Sequence, residues 1–88
     1  MANHPSALKR ARQNEKRRIR NRAVRTRVRG LIKKVRLAIA EGDPEKAQAA
    51  LAQAIPVIDK AAGKGVLHRR NAARKISRLS RQVHSLGA

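Results

Sequence analysis

The stretch VRTRVRGLIKKVRLAIAEGDPE, residues 24–45, decides the fold class. Val24, Val28, Leu31, Ile32, Val35, Ala38 and Ile39 recur at spacings of three and four, the period of a helix whose single apolar stripe needs a partner helix. The pattern then breaks. Gly42 suits the left-handed residue after a helix C-terminus, Asp43 suits an N-cap, Pro44 fits a first helical turn, and Glu45 meets the positive end of the next helix dipole. Two helices joined by so short a turn must fold back on each other.

Toward the C-terminus, the spacing predicts a second helix with Ala47, Leu51, Ala54, Ile55, Ile58 and Ala62 on one face and a kink at Pro56, which removes a hydrogen bond and crowds the preceding turn. Gly63, Lys64 and Gly65 end it. A third helix follows with Ala72, Ala73, Ile76, Leu79, Val83 and Leu86 at helical spacing. Toward the N-terminus, Ser6 is the expected N-cap after Pro5, and no further proline intervenes before Pro44. The first helix is therefore expected to run to about Glu41, roughly 50 Å at 1.5 Å per residue. No stretch alternates apolar with polar residues as a strand would. The expected fold class is all-α, an antiparallel three-helix bundle with a long, extended basic first helix. The whole chain reads as a single domain: residues 1–22 a basic N-terminal extension, residues 23–88 the helical bundle. The expected seam sets Val28, Leu31, Ile32 and Val35 against Leu51, Ile55 and Ile58, closed by Ile76, Leu79 and Val83.

Composition limits what such a bundle can do. Its 88 residues hold 23 Lys plus Arg against 5 Asp plus Glu, a net charge of +18, with no Cys, Trp, Tyr or Phe. Apart from alanine, burial rests on 19 Ile, Leu and Val and one Met, so the core is thin for a chain that buries proportionally little surface. Zero cysteine excludes disulfides and thiolate metal sites and fits a reducing compartment. The basic N-terminus lacks an apolar signal region, and the apolar runs Leu37–Ala40 and Ala49–Ala52 fall far short of the ~20 residues of a membrane span. A cytoplasmic protein is expected. His4, His68 and His84 are too scattered for a metal site, and Gly63-Lys64-Gly65 lacks the spacing and preceding strand of a phosphate loop. Ser77, Ser80 and Ser85 have no base or acid arranged around them. Neither catalysis, metal nor cofactor is expected.

The charge is strongly segregated. Residues 1–40 carry 14 basic side chains and only Glu15; residues 41–62 carry Glu41, Asp43, Glu45 and Asp59 against Lys46 and Lys60; residues 63–88 carry seven basic side chains and no acid. The near-neutral middle block is expected to face the other two blocks or solvent, while the flanking blocks face something negative. Like charges recur at i and i+4 (Lys16 and Arg20, Arg18 and Arg22, Arg25 and Arg29), where each pair weakens a helix by a few tenths of a kcal/mol. Phosphates convert those penalties into gains through counterion release. Arg outnumbers Lys by 15 to 8, which suits bidentate phosphate binding, although genomic base composition also favours Arg. Without aromatic rings the base-stacking platforms of single-strand readers are impossible. A structured nucleic acid, recognised by backbone and shape, is the expected partner.

The residues also resemble a known family. Met1-Ala2-Asn3 with Ser6-Ala7-Leu8-Lys9-Arg10 and Lys16-Arg17-Arg18-Ile19-Arg20-Asn21 is similar to the opening of bacterial small-subunit ribosomal protein S20. Ile32-Lys33-Lys34-Val35, Gly42-Asp43, Lys64-Gly65-Val66-Leu67-His68-Arg69, Ala72-Ala73-Arg74 and Ser77-Arg78-Leu79 extend the likeness over almost the whole chain. The resemblance implies a three-helix bundle bound directly to small-subunit ribosomal RNA as an early assembly protein, its basic extension lying between RNA helices. It carries over Ser6, Lys9, Arg10, Lys16, Arg20, Asn21, Arg25, Arg29, Lys33, Lys34, Lys64, His68, Arg69, Arg74, Ser77 and Arg78 as RNA-binding residues. The charge pattern adds Arg12, Arg17, Arg18, Arg22 and Arg70. Two positions depart from the family pattern: Arg70 stands where Asn is usual and Ile76 where Lys is usual, with Asn71 as a shifted substitute.

The alternative reading is a histone-like DNA-compacting protein, which preference for folded RNA over duplex DNA would separate. A membrane-active cationic helix is disfavoured because residues 7–22 have almost no apolar face to bury in lipid. An enzyme is weaker still. Residues 7–22 gain little from packing and carry repeated like-charge pairs, so they are expected to be largely disordered when free and to fold on RNA.

Overall fold

The computed structural model describes residues 5–87, which form α1 (Pro5–Ala40), α2 (Pro44–Gly63) and α3 (Arg69–Gly87). No strand occurs among the described residues. The near-neutral α2 is the central element, packing against both α1 and α3 more extensively than those two pack against each other. Because α1 spans 36 residues and its partners only 20 and 19, the molecule is a rod of 63 × 21 × 15 Å.

Both turns close by the same device. At the first, Asp43 N–H donates to the Ala38 carbonyl (3.2 Å) and Gly42 N–H to that of Ile39 (3.0 Å), with Gly42 at φ +72°. At the second, Val66 N–H donates to Ala61 and Gly65 N–H to Ala62, both at 3.0 Å, with Gly65 at φ +79°. These nested bonds satisfy the last helical carbonyls and require a left-handed residue that glycine adopts without strain. At the second turn Gly65 takes that role, Gly63 remains helical, and Val66 tucks into the core. Asp43 caps α2 as expected, its carboxylate accepting from Lys46 N–H at 3.1 Å. The Lys46 ammonium in turn reaches Glu41 at 3.0 Å, a hydrogen bond that raises the lysine pKa.

The core joins Val28, Ile32, Val35 and Ala38 of α1 to Ala47, Ala50, Ala54, Ile58 and Ala61 of α2 and Ala72, Leu79 and Val83 of α3. Leu31 and Ile76 pack at its edge. The expected α2 face is corrected: it is turned toward Ala50, Val57 and Ala61, leaving Ile55 half-buried outside the core cluster. A helix squeezed between two others is pressed closest where its side chains are smallest, so alanines occupy the contact and Leu51 and Ile55 flank it.

Three further expectations change. Helix α1 begins at Pro5, so Ser6 lies inside its first turn instead of capping it; the fixed φ of proline suits a first helical position. Helix α2 runs through Pro56 without ending. Pro56 and Ala52, whose carbonyl loses its amide partner there, are both exposed, so water can serve that oxygen. Residues 7–22 are helical instead of disordered, although everything from Pro5 to Arg20 is exposed. No Gly or Pro interrupts residues 7–29, most are good helix formers, and a helix nucleated by the packed half extends at one hydrogen bond per added residue. A Glu15–Arg18 ion pair of 2.7 Å offsets part of the repulsion.

Truncating the fully buried Ile58 to Ala should cost about 2–5 kcal/mol, whereas Ile55→Ala should cost clearly less. Chemical denaturation of both variants checks the register; equal losses would restore the face first expected.

Candidate nucleic-acid interface

Because α2 holds α1 and α3 apart, an open groove runs between those two helices. Its α1 wall is Arg25, Arg29, Lys33 and Arg36, spaced by four, four and three so that they share one face. Its α3 wall is Arg74, Lys75, Arg78 and Arg81. Val28, Ile32, Leu67 and Leu79 form the floor. The Arg25 end of α1 lies by Leu67 and the Ile39–Ala40 end by Gln82 and Ser85, so the two walls run parallel. All eight cations are exposed. Among the described residues the ion pairs are Arg18–Glu15 and Lys46–Glu41, and neither involves the groove. Helix α3 contains no acid at all.

Of the residues singled out in the sequence, the structure brings together Arg25, Arg29, Lys33, Arg74 and Arg78. Lys9, Arg10, Arg12, Lys16, Arg17, Arg18, Arg20 and Arg22 instead stud every side of the free half of α1. The Glu15 hydrogen bond raises the Arg18 pKa above its already high ordinary value. Ser6 sits at the start of this rod and half-buried Asn21 where it meets the bundle. Lys34 lies on the α2 side of α1 with Lys46 and Gln53, and Lys64 with Arg27 and Lys60 at the end of α2. Arg69, Arg70 and Ser77 are exposed on α3. His4 lies outside the described residues. Sequence reasoning missed Arg36, Lys75 and Arg81 in the groove. Their spacing beside Ile32 and Leu79 was a usable signal, but the motif likeness passed over them.

His68 has a local task of its own. Its Nδ1 accepts from Arg70 N–H at 3.1 Å and its carbonyl accepts from Ala72 N–H at 3.0 Å, so it is the N-cap of α3. The departures from the family pattern also find places. Half-buried Ile76 packs against the core, where a Lys would gain nothing, and Asn71 lines the groove beside Arg74 and Lys75. Among the described residues no three His, Cys, Asp or Glu side chains come together, and no helix is long and apolar enough to cross a membrane.

Fold and surface together define a small all-helical polycation whose surface is built from charge along helix faces. The family model for ribosomal protein S20 matches residues 2–84. The small ribosomal subunit protein bS20 of Geotalea uraniireducens is 60% identical over 87 residues, covering 99% of this chain and 100% of that protein. Its counterpart in Oleidesulfovibrio alaskensis is 58% identical over 86 residues, covering 98% and 99%. The chain belongs to the ribosomal protein S20 family, whose members are structural proteins, and it is not an enzyme.

Replacing His68 by Ala should lower stability by about 1 kcal/mol through loss of the cap. Ser77→Ala should change it by less than about 0.5 kcal/mol, as for exposed sites generally. Thermal denaturation compares the two.

Proposed function

We propose that this protein binds small-subunit ribosomal RNA directly in the bacterial cytoplasm and stabilises the packing of RNA helices during subunit assembly. The observation that carries this reading is the α1–α3 groove: eight cations in two parallel rails, without an acid to neutralise them, over an apolar floor. A phosphate backbone laid along the groove meets guanidinium and ammonium donors on both sides, each contact releasing condensed counterions. The floor offers no aromatic ring, so bases are not read by stacking and recognition rests on backbone path and shape. The free half of α1, residues 5–22, forms a second element of the same interface, a rod with cations on all sides that fits between RNA segments. His68, Arg69 and Arg70 add contacts at the start of α3, and Lys64 at the preceding turn. That relatives are named small ribosomal subunit proteins supports the reading.

Binding of the purified chain to deproteinised small-subunit ribosomal RNA should fall steeply with salt, since each phosphate contact contributes about −0.7 to −0.9 to the log-log slope. A slope shallower than about −3 would mean that few cations reach phosphate. The Arg36→Gln, Lys75→Gln, Arg81→Gln triple variant should flatten the slope by about 2 to 3 and should not lower the melting temperature, since it relieves repulsion. Deleting residues 1–22 should likewise remove much of the affinity while sparing the bundle.

A further inference from the structure

The two walls of the α1–α3 groove differ in chemistry. On α3, residues 71, 75, 78, 82 and 85 step by four, three, four and three, so they lie along one face of the helix over about 21 Å. Lys75 and Arg78 hold the middle of that face, and Asn71, Gln82 and Ser85 hold its ends. The α1 wall of Arg25, Arg29, Lys33 and Arg36 offers cations only, among the described residues.

Lys and Arg side chains can only donate hydrogen bonds, whereas the amides of Asn and Gln and the hydroxyl of Ser also accept them. Among the described residues lining the groove, the side chains able to accept are therefore Asn71, Gln82 and Ser85. All three are exposed, and no hydrogen bond among the described residues occupies their side chains. Phosphate oxygens carry no proton to give, so an acceptor gains nothing from them. A further cation at any of these positions would release another counterion; the neutral side chains supply acceptors instead. The ribose 2′-hydroxyl, which both donates and accepts, is the group of an RNA backbone that can use them.

We infer that Asn71, Gln82 and Ser85 take the ribose 2′-hydroxyls of the strand whose phosphates lie on Lys75 and Arg78, and that they make the groove selective for RNA over DNA. The inference rests on the RNA-binding reading above and adds to it the residues that distinguish the sugar. In a nucleic-acid strand each ribose lies between two consecutive phosphates. A strand held by the central cations of this face therefore brings its hydroxyls to the neutral residues beside them. The major groove of A-form RNA is too deep and narrow for side chains to read, while its shallow minor groove displays the hydroxyls. DNA fills the same groove with phosphates alone and leaves the three acceptors without a donor.

The test compares the full chain with its Asn71→Leu, Gln82→Met, Ser85→Ala variant on deproteinised small-subunit ribosomal RNA and on duplex DNA. The three changes sit at exposed positions and alter no charge, so the melting temperature and the salt slope should stay as they were. Affinity for the RNA should fall at least about tenfold, as the loss of two or three net hydrogen bonds implies, while affinity for DNA stays the same. A second measurement leaves the protein intact. Ribosomal RNA transcribed with 2′-fluoro pyrimidines keeps the A-form but has no hydroxyl to donate at those sugars; the unmodified chain should bind it more weakly, and the variant should lose distinctly less. Equal losses on RNA and DNA, or no loss on either, would overturn the inference. So would a variant that loses RNA affinity while the unmodified chain ignores the 2′-fluoro change, which would assign the amides to base edges. An unmodified chain that binds duplex DNA as tightly as ribosomal RNA would instead sink the RNA-binding reading itself.

Discussion

The distance at which α1 and α3 can approach α2 sets everything else in this structure. With no aromatic side chain available, the core is made of valine, leucine, isoleucine and alanine, and such short groups touch across an interface only when the helix axes are near. Ala47, Ala50, Ala54 and Ala61 allow that approach, and Ile58 is the one large α2 side chain driven fully inside. Interaxial distances follow the side chains at the contact. Larger residues at the alanine positions would lift Val28, Val35, Leu79 and Val83 away from their partners. The alanine seam also makes α2 the shared wall of two interfaces, so α1 and α3 meet less extensively and leave a groove over Val28, Ile32 and Leu79.

Charge follows from the same arrangement. Every acid except Glu15 lies between residues 41 and 62, on the central helix or its leading turn, and Glu15 and Glu41 are already engaged by Arg18 and Lys46. The groove cations therefore stand without compensation, neighbours along one helix face about 5–6 Å apart and so within a Debye length of about 8 Å at physiological salt. Self-repulsion of this kind destabilises a compact state. A polyanion in the groove removes the repulsion and supplies the contacts together. The protein and its partner thus complete one electrostatic unit that the protein alone leaves open.

The helices and both turns were legible because they depend on local signals: a 3.6-residue period, Gly42 ahead of Asp43-Pro44, and the glycines after Ala62; the central place of α2 was not, since a near-neutral block suits both the space between two helices and solvent. The α2 register was less legible, since alanine suits surface and core alike and the choice between Leu51 with Ile55 and Ala50 with Ala61 is made only by the presence of two neighbours. Arg36, Lys75 and Arg81 escaped notice for a related reason: membership of a groove between two helices depends on where the third one sits. His68 was marked as a contact residue, and its capping role was invisible because histidine is not among the usual capping side chains. The free half of α1 was misjudged where helix propensity and like-charge repulsion nearly balance, and continuity with a packed helix tips that balance.

A helix explains why so much charge can be carried by so little core. On one face of α1, residues three and four apart stand about 5–6 Å from each other, so cations are fixed at regular intervals along several lines at once, each line facing a different direction. In the bundle half one line meets α2, one borders the groove and one faces outward; between Pro5 and Arg20 every residue is exposed. A disordered basic tail would carry equal charge but would lose its freedom only on binding, at a cost that offsets part of the contact energy. The extended helix meets most of that cost on folding, because the packed half nucleates it. The length of α1 beyond the bundle therefore adds interface without requiring an additional core.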